Sequence, residues 1–248
     1  VVILLSALVG HRAEDINWIN IRNVNLFASN AILEAAIENG VERFIYASTA
    51  SVYGFQSGIM YETSTPAPVS LYSRLKLRLE SRIISAKSRS FHPTALRVGT
   101  CHGVAPRMRF DLVANGILRD AVLKKEITIR CGDQWRSFIH VEDAARSFLA
   151  CLKAHENLVS GNIFNVGHPE QNVNINHISQ IVQKLVPDIK VNLEDAEPDL
   201  TDHHLSSAKI QKVLDFNAQW SLEKSLTELR DILYKGQIED PYSYKYHN

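Results

Sequence analysis

The sequence predicts a doubly wound α/β fold built on a parallel sheet, and three observations carry that prediction. Apolar runs of strand length alternate along the chain with segments of helical periodicity. The joints between them are short, so each strand–helix–strand unit reads as a crossover between parallel strands. At 248 residues and 45% hydrophobic content, the chain can bury a sizeable core as one large domain or as a domain with a lobe.

The opening Val1-Val2-Ile3-Leu4-Leu5, continued by Ala7-Leu8-Val9, reads as a strand buried on both faces. A secretory signal is the competing reading, but neither a basic stretch nor an initiator Met precedes the run. The run is also far short of the ~18–20 apolar residues that cross a bilayer. A chain that opens inside a core strand raises the expectation of a segment upstream. Residues 25–39 have Leu26, Ala28, Leu33, Ala36 and Ile37 near one helical stripe, with Gly40 as the stop. Phe44-Ile45-Tyr46-Ala47 is a second strand, running into Ser48-Thr49-Ala50-Ser51. Residues 54–68, rich in Gly, Ser, Thr and Pro, read as loop.

A helix follows over about 70–87, with Leu71, Leu75, Leu79, Ile83 and Ile84 inward or against a partner. Strands are expected at 94–99, 127–129, 138–141 and 162–167. Helices are expected at 110–123, 142–154, 175–186 and 221–235, and the polar, Tyr-rich 237–248 reads as a loose tail.

Composition narrows function. Twenty-seven Lys+Arg balance 27 Asp+Glu, so the basic excess of a nucleic-acid binder is missing. Cys101, Cys131 and Cys151 form no CxxC pair, which argues against a disulfide scaffold and a cysteine zinc site; small buried thiols of a reducing, cytoplasmic compartment are expected. Asp199, Asp202, His203 and His204 lack a zinc spacing and read as surface loop rather than metal ligands. His140 reads as structural, donating to backbone.

In a doubly wound sheet ligands sit beyond the carboxyl ends of the strands. That directs attention to Ser6-Ala7, Ser48-Thr49, Thr100-Cys101-His102 and Asn165-Val166-Gly167. The sharpest local feature is Tyr72-Ser73-Arg74-Leu75-Lys76, with Tyr and Lys at i and i+4 on one helix face. An ammonium beside a phenol favours phenolate, so the tyrosine can exchange a proton nearer neutrality. The bare motif is equally what a solvated helix face offers. Thr49, at the end of a buried strand, adds a hydroxyl; together the three groups can hold an alcohol or ketone oxygen and move its proton.

The run from Ser48-Thr49-Ala50-Ser51-Val52-Tyr53-Gly54 to Tyr72-x-x-x-Lys76 resembles the extended short-chain dehydrogenases/reductases, in particular the NAD-dependent nucleotide-sugar epimerase/dehydratase family. The resemblance extends through Leu96-Arg97 to Gly103, Pro106 to Leu112, Arg136-x-x-x-His140-Val141-x-Asp143 and Phe164-Asn165-Val166-Gly167. It implies a Rossmann-like NAD-binding domain, here without its N-terminal Gly-rich βαβ region, over 1–103 and 137–166. It also implies a small C-terminal substrate lobe over 104–136 and 167–236.

The resemblance implies catalysis by Thr49, Tyr72 and Lys76, and cofactor contacts from Leu5, Ser6, Ala7, Asn25, Ser48, Tyr72, Lys76, Val98, Gly99 and Thr100. His102, Arg107, Arg109 and Arg136 are implied to bind substrate, with Arg136 gripping a nucleotide diphosphate. NAD is the implied cofactor, with NADP the alternative, and a homodimer through the 25–39 and 70–87 helices the implied assembly; ordinary core packing is the other reading of those faces. The implied reaction is epimerisation of a nucleotide sugar through a keto intermediate. Dehydratases of the family place Asp-Glu after the catalytic Thr, where this chain has Ala50-Ser51; Glu62 as a substitute acid competes with a plain solvated carboxylate. A reductase or dehydrogenase of the superfamily, or a non-catalytic dinucleotide-binding relative, are the alternatives. The sequence departs from the family pattern at Leu4, Leu75 and His102, where histidine, serine and tyrosine are usual. A further departure is Asp202-His203-His204, near the place of a phosphate-gripping arginine.

Overall fold

The computed structural model describes residues 1–9, 11–196 and 202–246. The first strand, β1 (Val2–Leu4), is followed by helix α1 (His11–Arg22), a π-helical stretch (Asn23–Ala28) and helix α2 (Ser29–Glu38). Asn17 breaks the helical path, and its Oδ1 accepts from the amides of Ile19 (3.1 Å) and Asn20 (3.3 Å), capping the part beyond. Gly40 ends α2 with φ +67°, a left-handed stop that a side chain disfavours. Leu26, Leu33 and Ala36 turn inward, whereas Ala28 and Ile37, expected on the same stripe, are exposed because the π stretch changes the angular spacing.

Then come β2 (Arg43–Thr49), a 3₁₀ turn (Ala50–Tyr53), β3 (Phe55–Met60), α3 (Leu71–Ser85), β4 (His92–Val98) and β5 (Thr100–His102). Next are α4 (Val113–Lys124), β6 (Glu126–Arg130), β7 (Trp135–His140), α5 (Val141–Lys153), α6 (Glu156–Val159), β8 (Asn162–Val166) and β9 (Asn172–Asn174). The chain closes with α7 (Ile175–Leu185), β10 (Lys190–Glu194), β11 (Asp202–Leu205), α8 (Ala208–Leu214) and α9 (Leu222–Tyr234).

Four strands in the order β1-β2-β4-β8, all parallel, form the central sheet. Successive residues point to opposite faces, and both faces of β2, β4 and β8 are covered; the edge strand β1, expected to be buried on both faces, buries Leu4 but leaves Ile3 exposed because one of its faces has no cover. Phe44, Tyr46 and Ala95 pack with Leu26, Leu33, Leu75, Leu79 and Ile83 on one side. Ile45, Leu96 and Phe164 pack with Ala144, Phe148 and Ile210 on the other. This is the doubly wound α/β arrangement of Rossmann-like proteins.

A separate core gathers Met108, Phe110, Leu118, Ile127, Ile178, Val182, Leu226 and Leu229 from α4, β6, α7 and α9. The segment 237–246, expected as a loose tail, is pinned to that core at two points. Ile238 and Tyr246 are buried in it, and the Phe110 amide donates to the Tyr246 carbonyl at 2.9 Å. The stretch expected as loop contains β3, which pairs in parallel with β11, so Asp202–Leu205 is strand rather than surface loop. Asp199 and the side chains of Asp202 and His203 lie outside the described residues; the His204 ring sits 4.1 Å from that of Trp135. Of the thiols only Cys151 is fully buried. Among the described residues no helix is long and apolar enough to cross a membrane.

Candidate active site

β2 delivers Ser48 and Thr49 to the carboxyl edge of the sheet, and α3 starts beside them. Ser70 caps α3, its hydroxyl accepting from the Ser73 amide at 3.1 Å, which sets Tyr72 in the first turn and Lys76 one turn on. The Thr49 hydroxyl accepts from the Ser51 amide at 3.2 Å, leaving its proton for Tyr72, to which it is hydrogen-bonded. Desolvation pushes the Tyr72 phenol up to about 12, against the Thr49 hydrogen bond and the Arg109 guanidinium, which both pull it down. Lys76 is 3% exposed; its ammonium donates to the Ala47 carbonyl and lies 4.2 Å from the centre of the Tyr46 ring. Burial brings Lys76 down to about 7, with the Glu80 carboxylate opposing. The cation acting on the phenol is thus Arg109, from across the cleft, as well as whatever Lys76 contributes along the helix.

Above these groups opens a cleft of about 910 Å³. It brings together Ser48, Thr49, Tyr72, Val98, Gly99, Thr100, Arg109 and Arg136, eight of the residues expected from sequence. Gly99 permits close packing there: a Cβ would fall 2.7 Å from the Ser137 carbonyl oxygen. The far wall adds Arg119 and Arg130. Arg109 pairs with Asp111, and Arg119 with Asp120 at 2.8 Å.

Other expected residues stand elsewhere. His102, proposed for substrate, is 2% exposed and lies in the core. Its Nδ1 is 2.9 Å from the Ser225 hydroxyl and its Nε2 3.0 Å from Gln171 Oε1, and desolvation pushes it down to about 4, so it is neutral. Arg107 does not line the cleft; it sits beside Met108 and Phe110, which pack into the core of α4, α7 and α9, and its Nε donates to the Lys245 carbonyl at 2.7 Å. Leu5, Ser6 and Ala7 do not line the cleft. Asn25, also outside it, holds both backbone groups of Leu8 at 2.8 Å and so shapes the segment after β1. His140 accepts from the Glu142 amide at 3.2 Å rather than donating to backbone, and stacks on Trp220 at 4.1 Å. Glu62 is no solvated carboxylate: it accepts from the Asn165 amide at 2.8 Å.

Sequence reasoning missed Glu80, Arg97, Arg119 and Arg130; Cys101, within the strand-end stretch that the sequence pointed to, lines the cleft near Tyr72. Two signals could have found the first pair. Glu80 continues the Tyr72/Lys76 helix face at i+8. Arg97 is a charge inside the buried strand Thr94-Ala95-Leu96-Arg97-Val98, and such a charge needs a partner.

The chain is similar to several known proteins. A Bacillus subtilis protein named "Uncharacterized UDP-glucose epimerase YtcB" is 29% identical over 222 residues, 86% of this chain and 68% of its own length. The UDP-glucuronate 4-epimerase of Thermodesulfobacterium geofontis is 28% identical over 238 residues, 91% of this chain and 69% of its own. Among solved structures, MoeE5 in complex with UDP-glucose and NAD superposes with a TM-score of 0.83 at 26% identity, covering 95% of this chain and 79% of that one. The UDP-glucuronic acid 4-epimerase of Bacillus cereus, in complex with UDP-glucuronic acid and NAD, gives 0.83 at 26% identity, covering 93% and 74%. The family model described as the NAD dependent epimerase/dehydratase family matches residues 1–167, two thirds of the chain, and the protein belongs to that family.

Proposed function

We propose that the chain carries the catalytic centre of an NAD-dependent nucleotide-sugar epimerase working through a transient keto sugar. The observation that carries the reading is the Thr49–Tyr72 hydrogen bond at the sheet edge, facing a cleft also lined by Arg109 and Arg136. Tyr72, a neutral phenol in the ligand-free chain, would act as base only as phenolate, which Arg109, Lys76 and the positive nicotinamide of bound NAD would favour; it would then take the proton of a sugar hydroxyl and return it, with Thr49 hydrogen-bonded to the same oxygen. Arginine forks suit the two phosphates of a nucleoside diphosphate.

The residues at the sheet edge fit the nicotinamide half of NAD, with Ser48, Val98, Gly99 and Thr100 lining the cleft beside Tyr72. When bound, NAD supplies the hydride acceptor and donor for the sugar carbon. NADP is not distinguished by these residues, since no acidic residue following a Gly-rich turn is among them. Ala50 and Ser51 after Thr49, and Glu62 engaged with Asn165, leave elimination without its acids and favour epimerase over dehydratase. A homodimer through α2 and α3 is proposed on the exposed Ile32 and Ile37 and the Glu34–Arg82 pair that joins their outer sides; light scattering tests it. The free thiols favour a cytoplasmic setting.

The test is incubation with millimolar NAD and a panel of UDP-, GDP- and CDP-sugars, with product epimers resolved by chromatography. Epimer without net NADH is expected; accumulating NADH would instead identify a dehydrogenase, and no product a non-catalytic relative. Tyr72→Phe is expected to lower turnover by about 10²–10⁴-fold while leaving the circular dichroism spectrum unchanged. A wild-type rate in that variant would remove Tyr72 from the mechanism.

A further inference from the structure

A buried polar chain runs beneath the sheet edge that carries the site. Glu80, 1% exposed on α3, receives the Ser48 hydroxyl at 2.5 Å. It also receives Arg97 Nη2 at 2.7 Å and Arg97 Nε at 3.1 and 3.2 Å. The other arm of Arg97, 3% exposed on β4, donates to the Tyr53 hydroxyl at 2.8 Å, which lies 2.8 Å from Asn165 Oδ1 on β8. One carboxylate thereby links β2, α3 and β4, and its guanidinium extends the link to β8.

A buried ion pair is a poor source of stability, because desolvation offsets the attraction and apolar side chains of similar volume do as well or better. What the pair supplies that Leu and Met cannot is a fixed negative charge one turn from Lys76 and an acceptor beneath Ser48. The remaining fixtures of the Lys76 ammonium, the Ala47 carbonyl and the Tyr46 ring, are neutral. Ser48, its proton committed to Glu80, offers the cleft lone pairs only.

We propose that Glu80, clamped by Arg97, is a positioning residue for the Thr49–Tyr72–Lys76 site, keeping the Lys76 ammonium charged and fixing the Ser48 hydroxyl. The role assigned to that ammonium rests on the epimerase reading above; the coupling itself does not. Among the described residues, the charged or titratable groups around Lys76 are Tyr72 and Glu80 on α3, Tyr46 on β2 and, behind Glu80, Arg97 on β4. Burial works against the ammonium and the Glu80 charge works for it, which agrees with the proposal.

The test follows the ε-carbon NMR signal of Lys76, assigned with Lys76→Arg, across pH in the ligand-free full chain. The wild-type midpoint is expected at about 7. Glu80→Gln removes the favourable charge and leaves Arg97 uncompensated, so its midpoint falls by about one unit or more. Glu80→Gln/Arg97→Gln buries no charge and remains foldable where the single variant does not; its midpoint lies between the two. Arg97→Lys, which keeps the charge balance, stays near wild type. A purely structural pair would lower the melting temperatures and leave Lys76 titrating as before; an unchanged midpoint in the two Glu80 variants overturns the proposal. Since neither NAD nor substrate enters the measurement, a failed search for epimerase activity does not affect it.

Discussion

The ammonium of Lys76 leaves water on folding, and that transfer has a thermodynamic signature independent of any ligand. In the unfolded chain a lysine holds its proton up to about pH 10.4; here burial lowers that to about 7. Between these values the unfolded state binds more protons, so stability rises with pH through the window from about 7 to about 10. The ordinary lysine bound at the surface has no such effect. Lys76→Met, which fills similar volume without charge, is therefore expected to raise stability at pH 7 by about 2–4 kcal/mol while destroying function. The gain should shrink toward zero near pH 10. Urea titrations at pH 7, 8.5 and 10 check it, and a destabilised variant at pH 7 would mean that the Ala47 and Tyr46 contacts outweigh desolvation. Tyr72 works in the other direction: its phenol, raised to about 12 from 10, keeps its proton longer in the folded state, so stability falls as pH passes from about 10 to about 12.

At the level of elements, the π-helical stretch Asn23–Ala28 has a job that an α-helix of the same sequence would not do. Its extra residue per turn turns Asn25 inward, where the side-chain amide satisfies both the N–H and the C=O of Leu8. Asn25→Ala leaves those two backbone groups unpaired. The expected cost is about 1–3 kcal/mol, with faster amide hydrogen exchange at Leu8 than at the β2 amides; unchanged exchange at Leu8 would show that the clamp is unnecessary. The four central strands were legible in the sequence because each is mostly apolar over strand length, as a largely buried sheet demands, even though β4 carries Arg97 and β8 carries Asn165. The helices α3, α5, α7 and α9 were legible from their stripes and caps. β3 was not, since Phe55-Gln56-Ser57-Gly58-Ile59-Met60 looks like loop and its partner β11 is supplied from far along the chain. Nor was the docking of the C-terminal segment, where one buried Tyr and one buried Ile suffice amid polar neighbours. At the candidate site, the i, i+4 spacing singled out Tyr72 and Lys76 and the strand end singled out Thr49, and the structure brings Thr49 and Tyr72 to one cleft with Lys76 buried a turn behind. His102 was misplaced because strand position alone does not say which side of the sheet edge a side chain takes. Glu80 was overlooked because charge in a helix is usually solvated.

For the molecule as a whole, the decisive asymmetry lies between the two halves of a dinucleotide. The nicotinamide side is equipped: hydroxyl, phenol and strand-end backbone meet at one cleft with arginines opposite. The pyrophosphate side calls for a Gly-rich turn that brings backbone amides and a helix N-terminus up to the phosphates, and none of the 248 residues forms such a motif. Among the described residues of the segment after β1, which the sequence nominated through Leu5, Ser6 and Ala7, only Val9 lines the cleft. On the proposed reading, the 248 residues therefore offer the adenosine diphosphate moiety little to bind, while the residues proposed to act on the sugar share one cleft. A calorimetric titration of the 248-residue chain is expected to give an NAD dissociation constant of about 1 mM or weaker. A UDP-sugar, relying on Arg109 and Arg136, should bind more tightly than NAD in the same experiment. Adding NAD at a few millimolar, only a few times that constant, should then raise the melting temperature by no more than a few degrees, because stabilisation grows with the ratio of ligand to dissociation constant. An NAD dissociation constant below about 10 μM would show that residues 5–9, or the cleft itself, hold the dinucleotide without a glycine-rich cradle, and the division of labour argued for the two walls would have to be abandoned.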